Sequence, residues 1–365
     1  SMTTNGTQLV MVDGSNGFAF EHTKGIKDLT EIEAWYPANT VTYQDGYFIF
    51  NRAGTGQFFL SELLSIEFDA LSFATAEGAP DNANCVISKK RELWVFGPDS
   101  IEVWYNSGDP DFPFERMQGA FIDRGTRSPQ SVVKLDDSVF FIGTDGMIYR
   151  SNGYQPIRIS THAVENDISR GRIEDAFAIA YVDKGHSFYQ VTFPSQKKTW
   201  CFDVATGLWH ERSHFQWGHH NANCHQYFSG MHLIGDFQSG YIYHLTMDYH
   251  KDHNDPIRRV AVSPIIHNGK QTLFQSELEL DMQSGVGLTS GQGENPQAAL
   301  RYSDDGGETW SNERKASIGK RGKYLTRVRW TRLGSFRQRM FEVVITDPVP
   351  VVIISAYAEV QRGRD

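Results

Sequence analysis

Ser138-Val-Phe-Phe-Ile-Gly-Thr-Asp-Gly-Met-Ile-Tyr-Arg150 reads as a β-hairpin. Two apolar, β-branched and aromatic runs flank Gly143-Thr144-Asp145-Gly146, and Asp-Gly supplies the positive φ that a tight turn needs. The unit recurs at Leu9–Phe20, Phe48–Leu60, Leu93–Trp104, Phe188–Phe202 and Leu233–Tyr243. Most copies lie about 45 residues apart, the period of a propeller blade built from four short strands. The expected units are 1–36, 37–80, 81–117, 118–160, 173–212 and 222–246. Val41–Phe50 is a second hairpin within its unit, turning at Asp45-Gly46. The prolines and acids of Asn106–Phe114 exclude a strand there. Thr161–Ile168 is the best helix signal, with Thr161 as N-cap.

The expected fold is therefore all-β: a propeller of four-stranded blades over 1–250, a linker over 251–270, and a β-rich segment over 271–365. Strands are expected at Phe274–Met282, Ala299–Ser303, Thr326–Leu333, Met340–Thr346 and Val351–Val360. Their length favours a sandwich over a final blade. Gln283–Ala298 reads as a polar loop, mobile or ordered by a partner.

Bulk composition narrows the function. The 365 residues carry a formal charge of −9, which argues against broad gripping of nucleic-acid phosphates. It allows an acidic wall past which DNA slides. Three scattered cysteines, Cys85, Cys201 and Cys224, make no disulfide framework and read as buried apolar residues in a reducing cytoplasm. No apolar run reaches the length of a membrane span, and there is no signal-peptide pattern. Ser1 ahead of Met2 reads as a cloning remnant, and the abrupt opening on a hairpin as a missing upstream segment.

Candidate chemistry is sparse. Ser303-Asp-Asp-Gly-Gly-Glu-Thr-Trp310 fits the Asp-box pattern through Ser303, Asp305, Gly307, Thr309 and Trp310. Asp305 is expected to accept amides across the turn, Gly307 to take a strained conformation, and Trp310 to pack beneath. This resembles the structural hairpins of sialidases and other propeller glycosidases, away from their active sites. A glycosidase, or a glycan-binding module, is the alternative reading. Histidines 210, 214, 219, 220, 225, 232, 244, 250 and 253 cluster near Cys224 but match no zinc spacing; exposed loop histidines are expected, with no metal and no cofactor. No Gly-x-Ser-x-Gly element or Walker loop is present. Asp136-Asp137 and Asp304-Asp305 fall in expected turns. The basic run Lys315, Lys320, Arg321, Lys323, Arg327 and Arg329, with Arg332, Arg337 and Arg339, reads either as a contact for DNA or an acidic neighbouring subunit, or as a solvated sheet face.

Several stretches together resemble the packaged-DNA stabilisation proteins of short-tailed phages, the tail accessory factor of the hub or nozzle. They are Tyr43–Phe59, Phe68–Glu77, Arg91–Asp109, Ile157–Glu165, Val204–Arg212, Ser303–Arg314 and Arg327–Asp347, and their order and spacing carry the resemblance. It implies a non-enzymatic virion protein, assembled in the host cytoplasm and built into the tail as a ring of six identical subunits around a DNA channel. Its partners would be portal and adaptor proteins, tailspike and tail needle, with DNA passing without sequence-specific binding. The family offers no catalytic residues. Its members carry a further segment ahead of this point, which leaves ring closure open. The loops at Asn106–Phe114 and Gln283–Ala298 are expected at subunit contacts.

Overall fold

The computed structural model describes residues 1–214 and 216–363. It divides into two units, Ser1–Leu245 and Thr246–Asp365.

Six antiparallel sheets follow one another in the first unit, five of them four-stranded in chain order. Blade 1 holds strands Met2–Thr4, Gln8–Val12, Gly17–Glu21 and Gly25–Asp28. Blade 2 runs from Val41 to Thr75, blade 3 from Cys85 to Ile122, blade 4 from Val133 to Arg158 and blade 5 from Phe177 to Glu211. Blade 6 has three strands, Ala222–Phe228, Met231–Asp236 and Ile242–Leu245. Each hairpin singled out in the sequence is the second and third strand of its blade. Those of blades 2 to 5 have both faces covered, so they read as continuous apolar runs.

Alternation along a strand sends neighbouring side chains into different junctions. Phe48 and Phe50 pack toward blade 1, while Ile49 packs toward blade 3. Leu93 and Val95 face blade 2, and Trp94 and Phe96 face blade 4. Val139 and Phe141 face blade 3, and Phe140 and Ile142 face blade 5. The junction of blades 5 and 6 is thinner, built from Ile179, Ala222 and Ile234. Two faces carry apolar side chains that no blade covers. Met2, Phe20 and Ile26 lie on the side of blade 1 away from Val10 and Ala19. Phe228, Met231 and Ile242 lie on the side of blade 6 away from Ile234.

The repeat period is written into the hydrogen bonds. First strands of consecutive blades approach one another. Val86 N donates to Thr40 Oγ1 at 2.9 Å and Ser88 N to Thr42 Oγ1 at 3.0 Å, each across 46 residues. The turns between first and second strands pair two left-handed residues: Asp45-Gly46, Lys90-Arg91, Asp136-Asp137, Lys184-Gly185 and Ser229-Gly230. Such turns match strand twist, and glycine suits them best. Where both residues carry side chains, those side chains clip blades together. Arg91 pairs with Asp45 at 3.1 Å, and Lys90 with Asp137. The expected helix forms over His162–Ile168 with Thr161 at the N-cap position, but the Thr161 hydroxyl makes no capping bond.

The second unit is a sandwich. Arg259–Val262, Gln338–Ile345, Gln297–Ser303 and Arg314–Ser317 form one sheet in that order, with Ile266–His267 also on Gln338–Ile345. Val328–Phe336, Leu273–Met282 and Ile353–Arg362 form the other. Leu278, Leu280, Val328, Trp330, Phe341, Val343 and Ile345 meet between them at strand spacing. The stretch 251–270, expected to be a linker, instead supplies strands to this unit, because Val260 and Ala261 pair with Val344 and Val343. Cys224 also differs from expectation: it is exposed, while Cys85 and Cys201 are buried. Burial raises both buried thiols, Cys201 to about 11.

Candidate interaction surfaces

The Asp-box is a closed hydrogen-bond circuit. Asp305 accepts the Thr309 N–H at 2.9 Å and the Thr309 hydroxyl at 2.6 Å. The Ser303 hydroxyl donates to Asp305 at 2.7 Å and accepts the Gly307 N–H at 2.8 Å. Gly307 has φ +104°. These bonds, led by those from Thr309, hold the Asp305 carboxyl well below its usual range. A carboxylate so engaged makes the turn and is not presented to a substrate. Trp310 lies against Arg301, whose guanidinium is 5.0 Å from the ring centroid and forks onto Glu342 at 2.5 and 3.0 Å.

The neighbouring Asp304 does something the sequence did not announce. It forks onto Arg339 at 2.7 and 2.8 Å. Arg339 is 2% exposed, donates to the Leu333 carbonyl at 2.7 Å, and lies over Tyr302 and Phe336 at 4.0 and 4.4 Å. An arginine at alternating strand spacing reads as solvated, and nothing local marks this one as core.

The basic run splits into two sets. Arg327 bonds Glu279 at 2.7 Å through Nε, and its Nη2 reaches Glu277 at 3.3 Å. Arg329 reaches the same Glu277 at 3.3 Å. Both guanidiniums thus share one sheet face, as the alternation implies, and are engaged by acids of the neighbouring strand. Lys320, Arg321 and Lys323 instead sit on the connection between Ile318 and Val328, where all three are exposed. Lys315, on the strand Arg314–Ser317, is also exposed. Lys320 pairs with Glu294 at 3.1 Å.

Gln283–Ala298, expected to be mobile or partner-ordered, packs within its own unit. Gly285, Gly287, Gly293 and Pro296 are buried. Gly322 N donates to Gly285 O at 3.1 Å, and the Ser284 hydroxyl to Tyr324 O at 2.7 Å. A Cβ at Gly287 would sit 2.9 Å from Arg321 N, so glycine is what lets the two loops touch.

Of the histidine cluster, His225 and His232 meet, with Nε2 and Nδ1 2.9 Å apart. Among the described residues no group of His, Cys, Asp and Glu is placed to hold a metal ion. His219 and His220 precede the first strand of blade 6 instead of lying on a strand, and are largely buried rather than exposed. His220 Nδ1 lies 3.2 Å from Gln190 Nε2 and accepts the Ala222 N–H at 3.2 Å. That nitrogen must be unprotonated, and burial, helped by Arg212, pushes the imidazole down to about 3. An unfolded histidine binds its proton near pH 6.5. The unfolded state therefore takes up the proton first, and stability falls as pH drops from about 6.5 toward about 3. The urea midpoint of the wild type is expected to decline between pH 7 and 5, and His220→Gln to flatten that decline. A pH-independent midpoint for the wild type in this window would refute the assignment.

Blade 3 carries a cavity of about 330 Å³ lined by Gly78, Glu102, Arg116, Met117, Gln118 and Phe121. Glu102, 2% exposed, accepts the Gly78 N–H and the Trp104 indole N–H at 3.1 Å, with Arg116 at 3.8 Å. It is the only carboxylate among the lining residues, whereas glycoside hydrolysis uses a pair. A glutamate inside the apolar run Ile101–Trp104 was the available signal for this buried acid.

Charge divides between the units. Residues 1–245 hold 18 Lys and Arg against 29 Asp and Glu, and residues 246–365 hold 17 against 15. An acidic segment of the first unit is the loop between strands Ile101–Asn106 and Phe114–Ile122. Its turns are fixed by Gly108 N to Asn106 Oδ1 at 2.9 Å, Asp111 N to Asp109 Oδ1 at 2.8 Å and Ser107 N to Pro113 O at 2.8 Å. Asp109 and Asp111 are exposed, and neither has an ion-pair partner among the described residues.

Comparison with known proteins places this architecture. No curated protein matches the sequence. Solved structures resemble it only distantly. A catalytically inactive virginiamycin B lyase from Staphylococcus aureus is 11% identical over 67% of this chain and 75% of its own, with TM-score 0.42. The exo-β-1,3-galactanase of Phanerochaete chrysosporium is 9% identical over 98% and 95%, with TM-score 0.34. Kluyveromyces lactis Hsv2 is 9% identical over 58% and 71%, with TM-score 0.32. Two family models match in order: bacteriophage P22 Gp10, beta-propeller, over residues 1–250, and bacteriophage P22 Gp10, beta-sandwich, over residues 258–361. With both domains matched in sequence along almost its whole length, the chain belongs to the bacteriophage P22 Gp10 family of packaged-DNA stabilisation proteins, structural components of the phage virion.

Proposed function

We propose that this chain is the tail hub or nozzle subunit of a short-tailed phage. Six copies form a ring below the portal, close its channel after packaging, stabilise the packaged DNA, and anchor tailspike or fibres and the needle. The observation that carries the reading is the ordered match of both Gp10 domains, propeller then sandwich.

The physical features agree with that role. Sheet dominates the chain, and the central strands of blades 2 to 5 are buried on both faces, which favours a stiff wall. The net acidic charge disfavours a tight grip on DNA, so the genome can leave without sequence-specific release. Asp305 and Glu102, the best-placed carboxylates for chemistry, are both committed to structural hydrogen bonds. Their commitment supports a reading in which the protein acts through its surfaces.

The test is electron microscopy of the chain mixed with its portal–adaptor complex. Ring density below the adaptor is expected. Its absence at saturating protein would sink the hub assignment.

A further inference from the structure

We propose that the 319–326 connection of the C-terminal unit docks on the acidic Asn106–Phe114 loop of a second copy of the chain. The proposal rests on the ring reading above and names the contact that would join its subunits.

The connection is a built feature. Lys323 N donates to Lys320 O at 2.9 Å, Thr326 Oγ1 to Lys323 O at 2.8 Å, and Gly319 N to Ser317 Oγ at 3.1 Å. Gly319 and Gly322 both have positive φ, and the 283–298 loop clasps it from the side through Gly285 and Gly287. On this fixed support Leu325 is 97% exposed and Tyr324 72% exposed. Leucine so fully hydrated at the apex of an ordered turn costs free energy in the free chain, which a receiving surface would recover. Lys320, Arg321 and Lys323 stand beside it. Among the described residues Arg321 and Lys323 have no ion-pair partner. An aromatic and an aliphatic anchor set among cations is the composition of an interface centre with a charged rim.

The charges identify the occupant. The connection carries three cations, and the propeller of another copy offers an ordered loop with Asp109 and Asp111. Asp109 and Asp111 are left without an ion-pair partner among the described residues. Nucleic acid fits less well: a phosphate backbone rewards the cations but not Leu325, and the chain as a whole is acidic. The contact is heterologous, tip of one copy to loop of the next, so repeating it generates a ring when the rotation closes.

Reciprocal charge reversal of the full chain tests this. One variant carries Lys320→Glu, Arg321→Glu and Lys323→Glu; the other carries Asp109→Lys and Asp111→Lys. Sedimentation velocity and electron microscopy at low salt are expected to show assembly of the wild type, weakened by added salt. Each variant alone should lose at least about tenfold in association. An equimolar mixture should recover it, because every contact in an alternating assembly is then complementary. Leu325→Ala, at a position that touches no core, should weaken association with the charges intact. If wild type and both variants assemble equally, this docking is wrong and the ring reading stands. If the wild type forms a ring neither alone nor on the portal–adaptor complex, the ring reading falls and takes the docking with it. If the tip variant assembles normally but loses retention of a short DNA duplex, the partner is nucleic acid and the proposal is overturned.

Discussion

Arg339→Ala is expected to destabilise the C-terminal sandwich by about 3–5 kcal/mol, in the range for emptying a large buried side-chain site. Several losses coincide. Asp304 loses the cation that its fork grips at 2.7 and 2.8 Å. The Leu333 carbonyl loses a donor at 2.7 Å, and the facing rings of Tyr302 and Phe336 lose the stack between them. The missing side chain leaves a void among residues that cannot all collapse into it. Asp304→Asn keeps an oxygen acceptor but leaves the 2% exposed Arg339 guanidinium without its counter-charge, so it too should be clearly destabilising. Arg339→Lys should not rescue fully, since an ammonium cannot fork onto a carboxylate and stack at once. Arg339→Met should fall between alanine and wild type, filling the space without the charge. Urea unfolding of the full chain, with hydrogen exchange of the strands Leu273–Met282 and Gln338–Ile345, measures the effect. A loss under about 1 kcal/mol for Arg339→Ala would mean the pair contributes no more than a surface bridge.

What could and could not be seen from the amino acids follows from where each residue's partner lies. The central hairpins of blades 2 to 5 were legible because burial on both faces writes itself into a contiguous apolar run. Phe48-Ile-Phe50 and Val139-Phe-Phe-Ile142 need no knowledge of a neighbour to be recognised. Outer strands such as Gln155–Arg158 and Leu208–Glu211 are mostly exposed and short, so their composition resembles a loop. Asp305 was legible because its bonding partners lie within four residues. Arg339 was not, because Asp304 is 35 residues away and only the sandwich brings them together. Arg327 and Glu279 are 48 residues apart, so their pairing is likewise set by strand register. The loop 283–298 was misjudged for the same reason. Its glycines looked like freedom, yet they serve close approach to Lys320 and Arg321. The linker reading of 251–270 failed because Arg259–Val262 draws its partner from Glu342–Ile345, 80 to 86 residues downstream.

Phe140→Ala should cost the propeller about 3–5 kcal/mol, the usual range for emptying a buried phenylalanine site. Phe140 is fully buried, stacks on Tyr189 with centroids 5.2 Å apart, and lies 6.4 Å from Phe202. Both partners belong to blade 5, so the damage should fall on the junction of blades 4 and 5. Phe141 is equally buried, but it meets Phe96 of blade 3 at 5.3 Å and Tyr149 at 5.5 Å. Its alanine variant should cost a similar amount and weaken the junction of blades 3 and 4. Hydrogen exchange separates the two. Phe140→Ala should loosen amides of Phe177–Asp203 more than those of Cys85–Ile122, and Phe141→Ala should do the reverse. Ile26→Ala is the control. Ile26 is 69% exposed on the uncovered face of blade 1, and its change should stay within about 0.5 kcal/mol. Two adjacent phenylalanines that disturb opposite neighbours would follow directly from a period of two residues between two packed sheets. If both variants loosened the same blade, strand alternation would not be what distributes these side chains between junctions.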